Sequence, residues 1–412
     1  MKILLEAPIM SMSGYGEHSR LVYEAIHNTH HDIYISPLNW GTTSWDMDII
    51  SLSAHADIER FGEYMSMSKK IGKDMQFDIQ IHVGLPNEFK KRAPYSICVT
   101  AGIETDRVSP RWLMKTQQEI NKLIVPSNHA KIGFESTGYS FMQLSSGGPA
   151  DKENMMKCEA PISVIPYPVK SFEHEPLNID IETDFNFLSV ALLGPRKNIE
   201  SSMVWFIREF RENNNVGLII KTGISKTSLI DRRKTEQYLK GLLAQCGEYK
   251  CKIYFIHGNM TEQEIHALYK HPKVKAYVTA THGEGFGLPV FEAAYSGLPV
   301  IATDWSAHTE FLTINNKKMF SNIEYELNEV PKSATWEHIL VDGSRWAYPT
   351  EGSYRKQIRE MYKEYNSKLE KAKTLQKHIL ENYQKHQILE QYKNAIFEID
   401  SNTEPEDEIV IL

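Results

Sequence analysis

Short apolar runs alternate with amphipathic stretches along most of the chain, the pattern of strands and helices in a parallel α/β sheet. In the first half, Ile3 to Glu6, Ile33 to Ile35, Ile79 to Val83, Ser96 to Thr100, Leu123 to Pro126 and Ile162 to Pro166 read as strands. Ser19 to Asn28 and Pro110 to Ile120 carry apolar residues at helical spacing between them. A stretch rich in Pro, Glu, Asp and Asn at 171–184 reads as a linker. The alternation then restarts with strand Phe187 to Leu193, helix Ile199 to Phe210, and strands Val216 to Lys221, Lys252 to His257, Ala276 to Thr279 and Val300 to Thr303. From Ser353 to Phe397, Ile358, Tyr362, Tyr365, Leu369, Ala372, Leu375, Ile379 and Tyr383 recur three or four apart, which predicts a packed helical pair. The organisation expected is therefore a first domain at 1–170, the linker, a second domain at 185–352, helices at 353–400 that pack back on the first domain, and a disordered acidic tail at 401–412.

Composition narrows this picture. A chain of 412 residues exceeds one ordinary core, so two domains are expected. The net charge is −7, and residues 1–175 hold 17 Lys and Arg against 21 Asp and Glu. That excludes an overall electrostatic grip on nucleic acid or anionic membrane, leaving only local patches such as Lys90-Lys91-Arg92. No run approaches the ~18 apolar residues of a membrane span. The opening Met-Lys-Ile-Leu-Leu-Glu-Ala-Pro meets a charge and a proline too early for a signal peptide. Four cysteines without CxxC or zinc spacing then imply reduced thiols and a cytoplasmic location. His30, His31 and His55 lack metal spacing, and Asp46-Met-Asp48 is an isolated acidic pair, so no metal is expected.

The informative segment runs from Val278 to Thr303: strand, Gly-rich turn, helix, tight turn, strand. Gly283, Gly285 and Gly287 leave the backbone open to a ligand, and Pro289 suits a helix's first turn. The amides of Gly285, Phe286, Gly287 and Leu288 then face a diphosphate at a positive helix end. Glu284 and Glu292 would repel that diphosphate unless each is aimed at sugar hydroxyls, which a carboxylate accepts in pairs.

This segment resembles the donor-binding signature of retaining glycosyltransferase family 4, Glu-x7-Glu in the form EGFGLPxxE followed by A-x-x-G-x-PVIA. The resemblance implies an α/β chain of GT-B fold, two Rossmann-like doubly wound parallel-sheet domains facing a cleft, with C-terminal helices. It implies a metal-independent transfer from a nucleotide-sugar, a UDP-sugar by default with GDP or ADP as alternatives, to a hydroxyl, with retention and no cofactor. Glu284 would hold the donor sugar and Glu292 the ribose. Lys197, after Leu193-Gly-Pro-Arg196, matches the family's pyrophosphate lysine. The family's arginine, five residues earlier, falls on Leu192, so Arg196 takes that role or the charge comes from elsewhere. Ser11-Met-Ser-Gly14-Tyr15-Gly16 sits where the family keeps a Gly-rich loop facing the donor phosphates, and Val125-Pro-Ser127 and Val164-Ile-Pro166 are also similar phrases. Glu104, in Val99-Thr-Ala-Gly-Ile-Glu104-Thr-Asp106, is the acceptor-side candidate, or simply a helix cap. His82, at a strand end, and Arg107 are the acceptor-binding expectations.

The opening phrase and the Glu104-Thr-Asp106 phrase are similar to glycosyltransferases of bacteriophage genomes, which implies a 5-hydroxymethyl pyrimidine in DNA as acceptor, held by Lys90, Lys91, Arg92, Arg107 and Arg111. The alternatives are transfer to a soluble or cell-envelope glycan, a sugar-nucleotide 2-epimerase, and a non-catalytic sugar-nucleotide-binding scaffold. A monomer or homodimer is expected.

Overall fold

The computed structural model describes residues 1–41, 55–140, 155–173, 175–225 and 228–398. Asp46-Met-Asp48 and the acidic tail lie outside them.

Two six-stranded parallel sheets form the frame. The first is built from β1 (Lys2–Ala7), β2 (Asp32–Pro37), β3 (Ile79–Val83), β4 (Tyr95–Val99), β5 (Lys122–Val125) and β6 (Ile162–Val164), in the order β2-β1-β3-β4-β5-β6. The second, from β7 (Phe185–Val190), β8 (Val216–Lys221), β9 (Lys252–Ile256), β10 (Val274–Thr279), β11 (Val300–Thr303) and β12 (Ser321–Ile323), runs β9-β8-β7-β10-β11-β12. Each order reverses direction beside its first strand, which opens a crevice at the carboxyl ends of the strands. The central strands are mostly apolar because helices cover both faces; β3 is buried at all five positions, Gln80 and His82 included.

Helices α1 (Gly14–His27), α2 (His55–Lys69), α3 (Pro110–Gln118) and α4 (Asn128–Ser136) belong to the first sheet, and α5 (Ile199–Phe210), α6 (Leu229–Ala244), α7 (Glu262–Lys270) and α8 (Leu288–Tyr295) to the second. Helix α1 starts five residues before the expected Ser19. The Ser13 hydroxyl caps it by accepting from the Gly16 amide at 3.1 Å, so the Gly-rich phrase is the helix's first turn rather than a free loop. A Cβ at Gly16 would lie 1.8 Å from the Ser11 carbonyl oxygen. Gly16 is buried and serves this turn, which corrects its reading as a donor contact. Gly14 is exposed, and a Cβ there would stand 3.7 Å from Leu288 Cδ1, across the cleft.

The C-terminal segment is three helices, α9 (Glu351–Lys363), α10 (Tyr365–Asn382) and α11 (Lys385–Phe397), not a pair. No Gly or Pro marks the breaks at Glu364 and Tyr383. The bends arise because the three helices dock on different partners: α9 on α5, α10 on α8 and α11 on α1 of the first domain. Tyr392 of α11 meets His18 Nε2 at 2.7 Å, and both side chains are buried. Two further strands, β13 (Tyr325–Glu329) and β14 (Arg345–Pro349), form an antiparallel ribbon that the alternation did not announce. The four cysteines are free. Among the described residues no helix is long and apolar enough to cross a membrane, and no group of three His, Cys, Asp or Glu side chains could hold a metal.

Candidate functional site

The two domains meet along the Gly-rich turn. A Cβ at Gly283 would lie 2.2 Å from the Glu104 carbonyl oxygen, and one at Gly285 would lie 2.4 Å from that of Ala101. These glycines therefore admit the other domain's backbone. The Ser127 hydroxyl donates to the Gly285 carbonyl at 2.8 Å while capping α4, which explains the Val-Pro-Ser phrase. Glu310 reaches across to accept from the backbone amides of Asn128 and His129 at 2.9 and 2.7 Å. Asp106 accepts from Arg345 Nε at 2.8 Å at the far end of the same seam. Gly287 alone has the left-handed conformation, at φ 94°, as N-cap of α8. With no side chain there to cap it, the first-turn amides of α8 have no side-chain acceptor. Phe286 is buried against Tyr167, Phe291 and Phe311, so only its backbone can contribute to a ligand site.

Four side chains from three segments converge at this turn. Lys197 Nζ stands 2.6 and 2.9 Å from the two Glu284 carboxylate oxygens. Arg196 Nη1 donates to Glu284 Oε2 at 3.0 Å and to the Gly283 carbonyl at 2.6 Å, and Nη2 lies 3.1 Å from Glu104 Oε1 of the first domain. Local geometry aims these cations: Pro195–Lys197 is a single 3-10 turn ended by Asn198 at φ 51°, a left-handed conformation asparagine tolerates. The Arg196 carbonyl is pinned by the His282 amide at 2.8 Å. Glu284 is held from behind, its amide donating to Ser306 Oγ at 2.9 Å and its carbonyl accepting from Ala307 at 3.3 Å.

Two cations facing two carboxylates leave the cluster neutral overall. Burial would raise the Glu284 pKa, but Lys197 and Arg196 outweigh it and hold the group at about 2. Burial and the adjacent Arg196 push the Lys197 ammonium down, against the pull of Glu284. Glu284 was expected to hold sugar hydroxyls; its carboxylate accepts from the two cations. The physical reason is that partly buried cations need a counter-charge.

Glu292 lies on the next turns of α8, in a separate cavity of about 150 Å³ with Glu17, Lys170, Glu262, His266 and Tyr269. Tyr269 Oη donates to its carboxylate at 3.0 Å. Burial, then the charge of Glu17, raise its pKa to about 7, against the pull of Lys170. Lys170, from the segment that joins the domains, bridges Glu17 of α1 at 2.9 Å and Glu262 of α7 at 2.8 Å. If Glu292 receives a pair of ribose hydroxyls, binding requires the ionised carboxylate. Nucleoside diphosphate affinity should then weaken by about tenfold per pH unit below about 7. A titration of UDP binding against pH checks this, and Glu292→Gln should give a flat profile; a wild-type profile already flat from pH 5 to 8 would exclude that role.

Two acceptor-side expectations are not met by the geometry. His82 is 3% exposed, at the carboxyl end of β3 in the interior of the first domain, edge-on to Phe89. Burial lowers its pKa, so it is a neutral interior imidazole and not a cleft contact. Arg107 lies 3.8 Å from Asp106 and lines a polar cavity of about 290 Å³ with Arg345, apart from the four-residue cluster. Trp112 is fully buried and donates to Asn87 Oδ1 at 2.8 Å. Sequence reasoning missed Ser306, Tyr269, Lys170 and Lys221. Only Lys221 carried a signal, its place at the carboxyl end of a central parallel strand.

Comparison with known proteins fits this geometry. Residues 171–321 match the family described as Glycosyl transferases group 1. A stretch of 121 residues, 29% of this chain, is 30% identical to the serotype-specific mannosyltransferase WbdA of Escherichia coli, of which it spans only 13%. Sucrose-phosphate synthase from Thermosynechococcus elongatus superposes with TM-score 0.57 at 13% identity, over 95% of this chain and 97% of that one. A glycosyltransferase from Rickettsia africae ESF-5 does so with TM-score 0.55 at 14% identity, over 96% and 99%. Anabaena HepE, solved in complex with UDP and glucose, gives TM-score 0.52 at 12% identity, over 95% and 98%. At these identities the solved structures establish the fold alone. The chain has the GT-B fold, and its residues 171–321 match the glycosyl transferases group 1 family.

Proposed function

We propose that the chain is a glycosyltransferase that moves a sugar from a nucleoside diphosphate, UDP by preference, to a hydroxyl acceptor. The observation that carries this reading is the convergence of Lys197, Arg196 and Glu284 at the uncapped mouth of α8, with Glu104 closing the cluster from the other domain. A diphosphate entering at the helix mouth would displace Glu284 from the two cations, since its two phosphates offer them two negative charges where the carboxylate offers one. The freed carboxylate would then accept from donor-sugar hydroxyls. Transfer breaks the bond from the anomeric carbon to the phosphate oxygen, the electron pair leaving with the diphosphate. Arg196, Lys197 and the α8 amides stabilise that charge as it forms. The acceptor oxygen bonds to the anomeric carbon and its proton passes to the departing phosphate oxygen on the same face, which gives retention without a metal or cofactor.

For the acceptor, we propose a 5-hydroxymethyl pyrimidine in DNA, on the resemblance of the opening and Glu104 phrases. Lys90, Lys91 and Arg111 are exposed and available to phosphates, while Arg92 is paired with Glu6 at 2.7 Å. A panel of UDP-, GDP-, ADP- and dTDP-sugars, with and without hydroxymethylated DNA, tests both parts by thermal shift and by product analysis. One donor should raise the Tm and be consumed only with acceptor. A sugar altered but not transferred would mean an epimerase, and no stabilisation by any donor would remove the reading altogether.

A further inference from the structure

Arg196 and Lys197 are both engaged by carboxylates, and neither lines the cavity that opens beyond Leu192. It has a volume of about 240 Å³ and lies at the carboxyl ends of β7, β8 and β9, against Pro289 of α8 and Met12 of the first domain. Its described lining holds Lys221 and no carboxylate. Lys221 ends β8, in register with Val190 of β7 and Ile256 of β9. Its ammonium makes no hydrogen bond or ion pair with another described residue, and burial lowers its pKa against the distant pull of Glu292. The next residue, Thr222, is 5% exposed, and its hydroxyl has no hydrogen-bond partner. The other ionisable group on the wall, His257, is taken up by Asp231 at 2.8 Å. A half-buried ammonium beside a buried unpartnered hydroxyl is costly unless a ligand completes both. The first turn of α8, with no side-chain cap, faces the same space.

We propose that Lys221, with the Thr222 hydroxyl, binds the diphosphate of the donor at the end of β8. This rests on the donor-site reading above and adds to it a cation that holds no counter-charge in the free chain. Lys221 thus attracts the diphosphate before Glu284 has released Arg196 and Lys197.

Binding of UDP and of uridine to the full-length chain, measured by calorimetry and by ligand-observed NMR, tests the assignment. Lys221→Met should weaken UDP about tenfold or more while leaving uridine within about twofold. Lys221→Arg should recover most of the affinity, and Thr222→Val should cost about threefold for UDP alone. Unchanged UDP binding by Lys221→Met would overturn the proposal, as would equal losses for UDP and uridine, which would place Lys221 at the nucleoside or in the fold. A wild-type chain that binds none of UDP, GDP, ADP and dTDP would instead bring down the donor-site reading itself. The two failures are therefore distinct.

Discussion

Glu284→Gln should lower transfer by at least about 10³-fold while leaving the two-domain fold in place, because the amide cannot counter two cations or accept from two sugar hydroxyls. The same variant carries a stability signature. Glu284 is 9% exposed at its side chain and pairs with both Lys197 and Arg196. Removing its charge leaves buried cations matched only by Glu104, a loss on the order of 3–5 kcal/mol. The pH dependence fixes the sign. The carboxyl is held down from 4.5 to about 2, so its contribution is present above about pH 4.5 and is lost as pH falls through 2. Across that window wild type should lose about 3 kcal/mol that Glu284→Gln does not lose. Denaturant melts at pH 5 and pH 2, beside a turnover assay, check both parts. Near-normal turnover would remove Glu284 from the chemistry, and parallel acid limbs would show that the cations find other partners.

Gly285→Ala should reduce turnover by about 10²-fold through geometry alone. The added methyl carbon would lie 2.4 Å from the Ala101 carbonyl oxygen, a backbone atom that cannot swing aside, so the domains must part by about an ångström. The proposed nucleotide site is lined mainly by the second domain, so UDP affinity should change by less than about threefold. A fall in kcat with UDP binding preserved is the expected split. Wild-type kcat would show that the seam relaxes without cost. An equal loss of UDP affinity would place Gly285 at the ligand after all.

The alternation of apolar runs was sufficient for the strands because a parallel strand buried on both faces reads as a short, mostly apolar stretch. Ile79–Val83, Val216–Lys221 and Val300–Thr303 occupy their expected bounds. The α8 turn was legible for a local reason: a proline in the first helical turn and a glycine in the left-handed region act within a few residues of each other. The division of the C-terminal segment into three helices was not legible, since the docking partners that bend it at Glu364 and Tyr383 lie dozens to hundreds of residues away, on α5, α8 and α1.

The site divides along the same line. Two α/β halves, a helix start at Pro289 and acidic side chains on either side of it could be read along the chain, because each follows from short-range backbone geometry. What those side chains do was decided only by the tertiary structure. Gly283 and Gly285 turned out to seat the other domain's backbone, Gly16 to close its own turn, and His82 to lie in an interior. Arg196 joined Glu284 to Glu104, 180 residues apart, and Lys221 came to stand on a cavity wall whose described lining holds no carboxylate. Charge pairing acts through space over a few ångströms, and no spacing along a chain reports which distant group will fill them.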